Sequence, residues 1–217
     1  MMQSYKTYFS DKKFVLSVIG GVILLSISLV VQFLASGYAA RTSSGSVTDV
    51  FLSNTRVYDV GGIFVWGSVV LTIFCVFLAL RRPNYMPFLM KSVATFTLIR
   101  SVFISLTHIS PFPTRALIDS TFFTKEAFNG IFTGNDLFFS GHTGIPFLLA
   151  LMFWENKTLR IIFLSFSVMF ALVVLLGHLH YSIDVLSAYF ITFSIFHICK
   201  VLYKKDWQLF LKKDEIL

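Results

Sequence analysis

Two short polar segments interrupt an otherwise apolar chain, and both carry histidine. The first reads Gly134-Asn-Asp-Leu-Phe-Phe-Ser-Gly-His-Thr143 and leads into an apolar run. A helix that starts here exposes unpaired N–H groups and a partial positive charge, which suits a phosphate. Gly141 would let backbone approach a ligand closely, Ser140 and Thr143 add hydroxyls, and His142 can give or take a proton. The plain alternative is a capped helix start, with Asn135 or Asp136 as the cap. The second segment reads Gly177-His-Leu-His-Tyr-Ser-Ile-Asp-Val185. His180 and Asp184 are four apart, so a helix stacks them on one face. A carboxylate there holds one ring nitrogen and leaves the other free to attack, the orienting logic of a catalytic triad. A helix cap with a satisfied His–Asp pair is the alternative. His178 stands two residues from His180, faces away from it on a helix, and reads as a loop histidine.

A third polar residue, Arg100, lies inside an apolar run, seven residues before Thr107 and on the same helical face. Ionisable groups within membrane helices are costly and mark candidate sites. A fixed guanidinium at that depth could grip a phosphate with two donors, or snorkel to the headgroups. Phe138, Phe139, Tyr181 and Tyr189 could cradle a quaternary amine by cation–π contact, or belong to the core. His108 reads as an interface histidine and His197 as a helix-packing one. Cys75 and Cys199 sit in apolar runs and read as core residues, not as a disulfide or metal pair.

The elements that must position these residues follow from composition. Of 217 residues, 56% are hydrophobic and 13% charged, and the mean hydropathy is +0.77. A soluble domain carries about 25% charged residues. At roughly 20 apolar residues per crossing, the chain has material for six membrane helices and none to spare for a soluble domain. The apolar runs are 14–37, 60–80, 86–107, 137–154, 161–176 and 181–203, a single all-α membrane domain. Polar stretches at 41–59 and 108–136 form the longer loops. The 14–37 run exceeds a signal-peptide core of ~7–15 residues.

The net charge of +7 is explained by membrane orientation without any nucleic acid partner. Lys6, Lys12, Lys13, Arg81, Arg82, Lys91, Lys157, Arg160, Lys200, Lys204, Lys205, Lys212 and Lys213 gather at one set of helix ends. Arg41, Arg56, Arg115 and Lys125 mark the other. This bias puts both termini in the cytoplasm. Arg100 and the two histidine segments then fall at the outer ends of the third, fourth and sixth helices, a coincidence in depth that suggests one site. The stretch from Trp207 could lie on the membrane surface as an amphipathic helix or extend as a solvated tail.

Phe-Ser-Gly-His-Thr (139–143) followed by His-Tyr-Ser-Ile-Asp-Val (180–185) resembles the lipid phosphatase/phosphotransferase superfamily founded on type-2 phosphatidic acid phosphatases. Within it the chain is most similar to the sphingomyelin synthase-related branch, which reads Gly-Asp-x-x-x-Ser-Gly-His-Thr and then His-Tyr-Thr/Ser-x-Asp-Val-x-x-Ala-Tyr. Asp136 stands four before Ser140, and Ala188-Tyr189 keep the spacing; Arg100 and Thr107 resemble the branch's third-helix pattern. The phosphatase branch carries an arginine six residues before its last histidine; here the residue is Val174, and Gly134-Asn135 replace the synthase branch's Cys-Gly.

The resemblance implies that His180 attacks phosphorus, Asp184 orients it, and His142 protonates the leaving alcohol and then deprotonates the acceptor. Arg100, Ser140 and the Gly141 backbone hold the phosphate oxygens; Asp136, Thr143, Tyr181 and Tyr189 line the site. It implies no metal and no cofactor. The donor is a phospholipid and the acceptor a lipid alcohol such as ceramide or diacylglycerol, or water in a phosphatase or phospholipase C-like hydrolase. The short loops suit a bacterial inner membrane, with the site on the periplasmic, lumenal or extracellular side. Two rivals are a zinc hydrolase built on His142, His178, His180 and Asp184, and a transporter lined by the same polar residues.

Overall fold

The computed structural model describes residues 2–116 and 136–212. Over these it is helical: α1 (Met2–Ser10), α2 (Lys12–Thr42), α3 (Gly61–Arg81), α4 (Met86–Leu106), α5 (Gly141–Met152), α6 (Lys157–Leu176), α7 (Ser182–Leu202) and α8 (Lys204–Leu211). Five of them, α2, α3, α4, α6 and α7, are long and apolar enough to cross a membrane, as an integral multi-pass protein requires. Within α3 only Leu71 is fully buried; Phe64, Phe74, Cys75 and Leu78 pack half-buried on the bundle, and residues such as Ile63, Trp66, Val70, Ile73 and Phe77 are exposed, as on a lipid-facing helix.

The expected and observed boundaries differ in instructive places. The first run extends from 14–37 to Lys12–Thr42, because Asp11 caps it: its side chain accepts the Lys13 N–H at 2.9 Å. The fourth helix starts at Gly141, not at Leu137, because Ser140 is the cap and its hydroxyl accepts the Thr143 N–H. Asp136 does not cap it; Gly134 and Asn135 lie outside the described residues. The sixth run becomes helical only at Ser182, which leaves His180 just ahead of the helix.

Through its last described residue, Lys212, the C-terminal stretch is not a solvated tail. Helix α8 folds back onto the bundle: Phe210 is buried, Trp207 packs on Phe88 with ring centroids 4.8 Å apart, and Asn84 Nδ2 donates to Leu209 O and Lys212 O. One contiguous apolar core runs through α4, α5, α6 and α7, centred on Phe88, Phe96, Leu148, Phe163 and Phe170. Helix α2 lies along α4, and α5 is gripped by α6 and α7. At Gly144 the helices approach so closely that a Cβ would come within 2.7 Å of the Phe96 ring and 2.9 Å of Thr192 Oγ1.

At the end carrying the histidine segments, three loops tie together. Ser44 N donates to His108 O and Ser110 N to Gly45 O, joining the loop after α2 to the one after α4. Tyr58 N donates to Leu176 O and Ala116 N to Gly177 O, joining both to the α6–α7 turn. His178 occupies this turn in the left-handed region, φ 52°, a conformation that costs a non-glycine residue roughly 1–3 kcal/mol. Its ring supplies compensation: Nδ1 lies 2.6 Å from Thr114 Oγ1 and Nε2 3.3 Å from Thr55 Oγ1, one partner on each neighbouring loop. Burial pushes its pKa below the ordinary histidine value, against the opposing field of Asp49.

Candidate active site

Because α5 begins late, residues 136–140 form a non-helical shelf, and this shelf gathers the site. His180 Nδ1 lies 2.9 Å from Leu137 O on the shelf and 3.3 Å from Asp184 Oδ2. Both partners are acceptors, since the Asp184 oxygen already receives the Tyr181 N–H at 3.0 Å. Nδ1 must therefore carry the proton, and in the neutral ring Nε2 holds the lone pair. Asp184 thus serves twice, orienting His180 and capping the start of α7. Ser140 N donates to Asp184 O at 3.1 Å, locking the shelf to the helix that presents the histidine.

Arg100 holds the other side of the shelf. Its Nε donates to Phe139 O at 2.8 Å, one terminal nitrogen to Asp136 Oδ2 at 3.0 Å and the other to Asp136 O at 2.6 Å. Among the described residues, three of five guanidinium donors are used, which leaves one on each terminal nitrogen. The space over Gly141 belongs to this side chain: a Cβ there would lie 3.3 Å from Nε. Burial raises the Asp136 carboxyl pKa, but the charges of Arg100 and His180 outweigh it and hold the group below its ordinary value. Arg115, in the loop after α4, has its pKa lowered by burial, against the raising charge of Asp136.

The half-buried His142 is the first full residue of α5 after Gly141. Its ring packs on Phe64 at 4.1 Å and on Phe170 at 5.7 Å between centroids. It lies within electrostatic reach of His180, Arg100 and Asp136. Among the described residues, no acceptor takes the N–H groups of Gly141 and His142, so the start of α5 keeps two donors beside the cluster.

The structure thus brings His180, Asp184, Arg100, Asp136, His142, Ser140 and Gly141 together. It turns other candidates elsewhere. The Ser140 hydroxyl is buried and accepts from Thr143 N and Thr143 Oγ1. Thr143 is fully buried. Tyr181 is buried against Leu52 and Leu137, and its hydroxyl donates to Ser110 O at 2.8 Å, bracing the loops after α2 and α4. Tyr189 accepts from Ser167 Oγ and packs edge-on against Phe147. Phe139 is buried between Phe96 and Phe103, so these aromatics form no common cage. His197 is exposed on α7 and bonds Phe193 O of its own helix, so it does not pack between helices. Cys75 and Cys199 are both free, the first half-buried and the second buried. Among the described residues no three His, Cys, Asp or Glu side chains are placed to hold a metal ion.

One participant escaped the sequence reading. Asp49, in the loop after α2, accepts from Phe51 N (2.8 Å) and Leu52 N (3.0 Å) with one oxygen, and from Ser182 N (2.7 Å) and Ser182 Oγ (2.8 Å) with the other. It clamps the start of α7, two residues from His180. Desolvation works against its charge, yet the four hydrogen bonds prevail and lower its pKa. No motif marks it; its signal would have been one of two acidic residues, with Asp59, in a loop expected on the same side as the histidines.

Residues 133–201 match the family model described as PAP2 superfamily C-terminal. No curated protein and no solved structure matches the chain. The matched stretch is about a third of the chain and holds Asp136, Ser140, His142, His180 and Asp184 but not Arg100. It supports a place in the type-2 phosphatidic acid phosphatase superfamily, whose members act on phosphoester bonds and include lipid phosphatases and phosphotransferases.

Proposed function

We propose that this chain is a membrane lipid phosphotransferase, similar to the sphingomyelin synthase-related branch, that moves a phospho-headgroup from a phospholipid to a lipid hydroxyl through a phosphohistidine. The observation that carries the reading is the fixed protonation of His180. Its Nδ1 faces two acceptors, so Nε2 offers its lone pair to phosphorus. In the first step the Nε2–P bond forms, the P–O bond to the lipid alcohol breaks, and protonated His142 gives its proton to that oxygen. In the second, the acceptor hydroxyl loses its proton to His142, its oxygen bonds phosphorus, and the N–P bond breaks. Asp184 balances the charge on the imidazole. The two remaining Arg100 donors and the N–H groups of Gly141 and His142 are suited to the phosphate oxygens as charge shifts among them. These steps use no metal.

The chain would cross the membrane six times, with α5 as the sixth crossing. Helix α5 is only 12 residues long, ~18 Å against a hydrocarbon thickness of ~30 Å. It starts beside Arg100, six residues or ~9 Å short of the end of α4 at Leu106, so shelf and helix together approach the full span. Both termini then lie on the cytoplasmic side, where the basic residues concentrate, and the site opens to the periplasmic or lumenal side.

The test is a transfer assay in mixed micelles of phosphatidylcholine and phosphatidylethanolamine, with fluorescent ceramide or diacylglycerol as acceptor and products resolved by thin-layer chromatography. A new fluorescent phospholipid, absent with His180→Ala, is the expected result. His180-dependent release of phosphate or phospho-headgroup to water, without that product, would replace the transferase by a phosphatase or phospholipase C-like hydrolase.

A further inference from the structure

We infer that the groove between α3 and His142 holds the hydrocarbon chain of the lipid alcohol whose oxygen exchanges a proton with His142. This rests on the phosphotransfer reading above and names where its lipid lies.

The groove is a cavity of about 220 Å³ lined by Phe64, Val65, Ser68, Val69, Thr72 and Ile73 of α3, and by His142. The α3 residues recur at one- and four-residue steps, which places them in a single stripe along one side of the helix. The two hydroxyls in the stripe do not make it polar. Ser68 Oγ donates to Phe64 O at 2.7 Å and Thr72 Oγ1 to Ser68 O at 2.8 Å, so each turns its proton back to its own helix. A hydrocarbon chain therefore meets carbon along the whole stripe, roughly 13 Å from Phe64 to Ile73. His142 is the one ionisable lining residue, and it belongs to the charge cluster at the shelf.

Depth makes the case for a chain, not a headgroup. Arg100, which anchors the shelf, lies ~9 Å inside the end of α4. A phosphate brought there sits below the level of the surrounding headgroups. The alcohol it is bonded to must then leave the shelf sideways at hydrocarbon depth. The groove begins three residues into α3 and runs inward, which is that depth. The Phe64 ring against His142 fixes the imidazole at the groove's head, where it meets the oxygen at the end of the chain. Leaving and accepting alcohols use the same seat in turn, since one His142 serves both.

The experiment compares two donors in detergent micelles, each with methanol as an acceptor that carries no chain: dioleoyl phosphatidylcholine, and p-nitrophenyl phosphorylcholine, whose leaving group carries no chain either. Wild-type and His180→Ala proteins establish which turnover belongs to the site. Val69→Trp and Thr72→Trp each fill the stripe. The expected result is a tenfold or larger rise in KM for the long-chain donor, with p-nitrophenyl phosphorylcholine turnover within twofold of wild type, which also reports an intact fold. An unchanged KM for the long-chain donor, or equal loss on both donors in both variants, overturns the groove. Absence of His180-dependent turnover of either donor in the wild-type protein would instead overturn the phosphotransfer reading itself.

Discussion

Helix α4 carries two basic residues, Lys91 and Arg100, nine residues and ~13 Å apart, and each is paired with an aspartate from outside the long helices. At the Lys91 end, Nζ donates to Asp206 Oδ2 and to Ser17 Oγ, both at 2.7 Å, and Ser17 Oγ donates to Asp206 Oδ1 at 2.6 Å. Each member bonds the other two, and the triangle joins α2, α4 and α8; one ammonium donor is left over, with the Tyr203 ring centroid 5.6 Å from Nζ. At the Arg100 end, among the described residues, the pairing with Asp136 leaves two guanidinium donors unspent, two histidines in electrostatic range and two backbone N–H groups uncapped. A nearly closed polar network holds helices together; an open one, anchored equally well, has capacity left for a ligand. The presence of a half-buried ion pair therefore does not separate scaffold from site, whereas the number of donors left around it does.

The sharpest break of this comparison lies in the histidine. His180→Ala should abolish turnover while Asp206→Asn leaves it within about twofold and lowers thermal stability. Turnover of each donor and thermal unfolding followed by tryptophan fluorescence check both halves. Near-normal activity in His180→Ala would remove the nucleophile, and a collapse of activity in a folded Asp206→Asn protein would erase the contrast between the two ends. Next in size is His142→Ala, expected to lose about 10²–10⁴-fold in kcat, the usual scale of general acid–base help. A loss under about threefold would take His142 out of the mechanism.

A smaller effect tests the unspent donors directly. Arg100→Lys keeps the charge but offers three donors from one point, where Phe139 O, Asp136 Oδ2 and Asp136 O are now reached from three separate nitrogens. We expect kcat/KM to fall about 10–100-fold, equivalent to ~1.4–2.8 kcal/mol. The reciprocal Lys91→Arg should leave kcat/KM within twofold, because that end lies ~13 Å along α4 from Arg100 and its histidines.

How far the sequence foretold this arrangement depends on the range of the interaction involved. The apolar runs announce the long helices because crossing a membrane demands length and hydrophobicity over many consecutive residues. His180 and Asp184 announce each other because their partnership is local, four residues apart. The apolar pattern places the helix start at Leu137, four residues early, since Leu137-Phe138-Phe139 is as apolar as the helix it precedes. Only the demand of Arg100 and His180 for the carbonyls of the shelf keeps it unwound, and that demand comes from residues 36 to 43 positions away. Tyr181 looked like a site residue because it adjoins His180, yet its hydroxyl reaches Ser110, 71 residues back. The folding back of α8 rested on Lys91 and Phe88, equally remote in sequence.

Asp49 is the most remote participant, 133 residues from the Ser182 it holds, and it gives the finest test of whether the loop layer positions the site or merely covers it. In Asp49→Asn, the side-chain amide can still accept from Phe51 and Leu52 with its oxygen. Its NH₂ must then face the Ser182 N–H, donor against donor, and the start of α7 loosens next to His180. We expect a loss of roughly 1–3 kcal/mol in stability and about a tenfold fall in kcat, with KM within twofold, since Asp49 touches His180 only through the helix start. The sign of the pH dependence follows from its lowered pKa. The clamp's stabilisation is complete above the ordinary carboxylate pKa of ~3.9 and is lost as pH falls through the lower folded value. Buried His178 adds a loss of the same sign that begins earlier, as pH falls below ~6.5, because its folded pKa is also depressed. The wild-type melting temperature should therefore decline in two stages on acidification. The Asp49→Asn protein should show the first in full and a diminished second, because the Asp136 carboxyl is also held low and still contributes there. A second stage undiminished in the variant would assign it wholly to Asp136 and would shift the weight of positioning from the loop clamp back to the shelf.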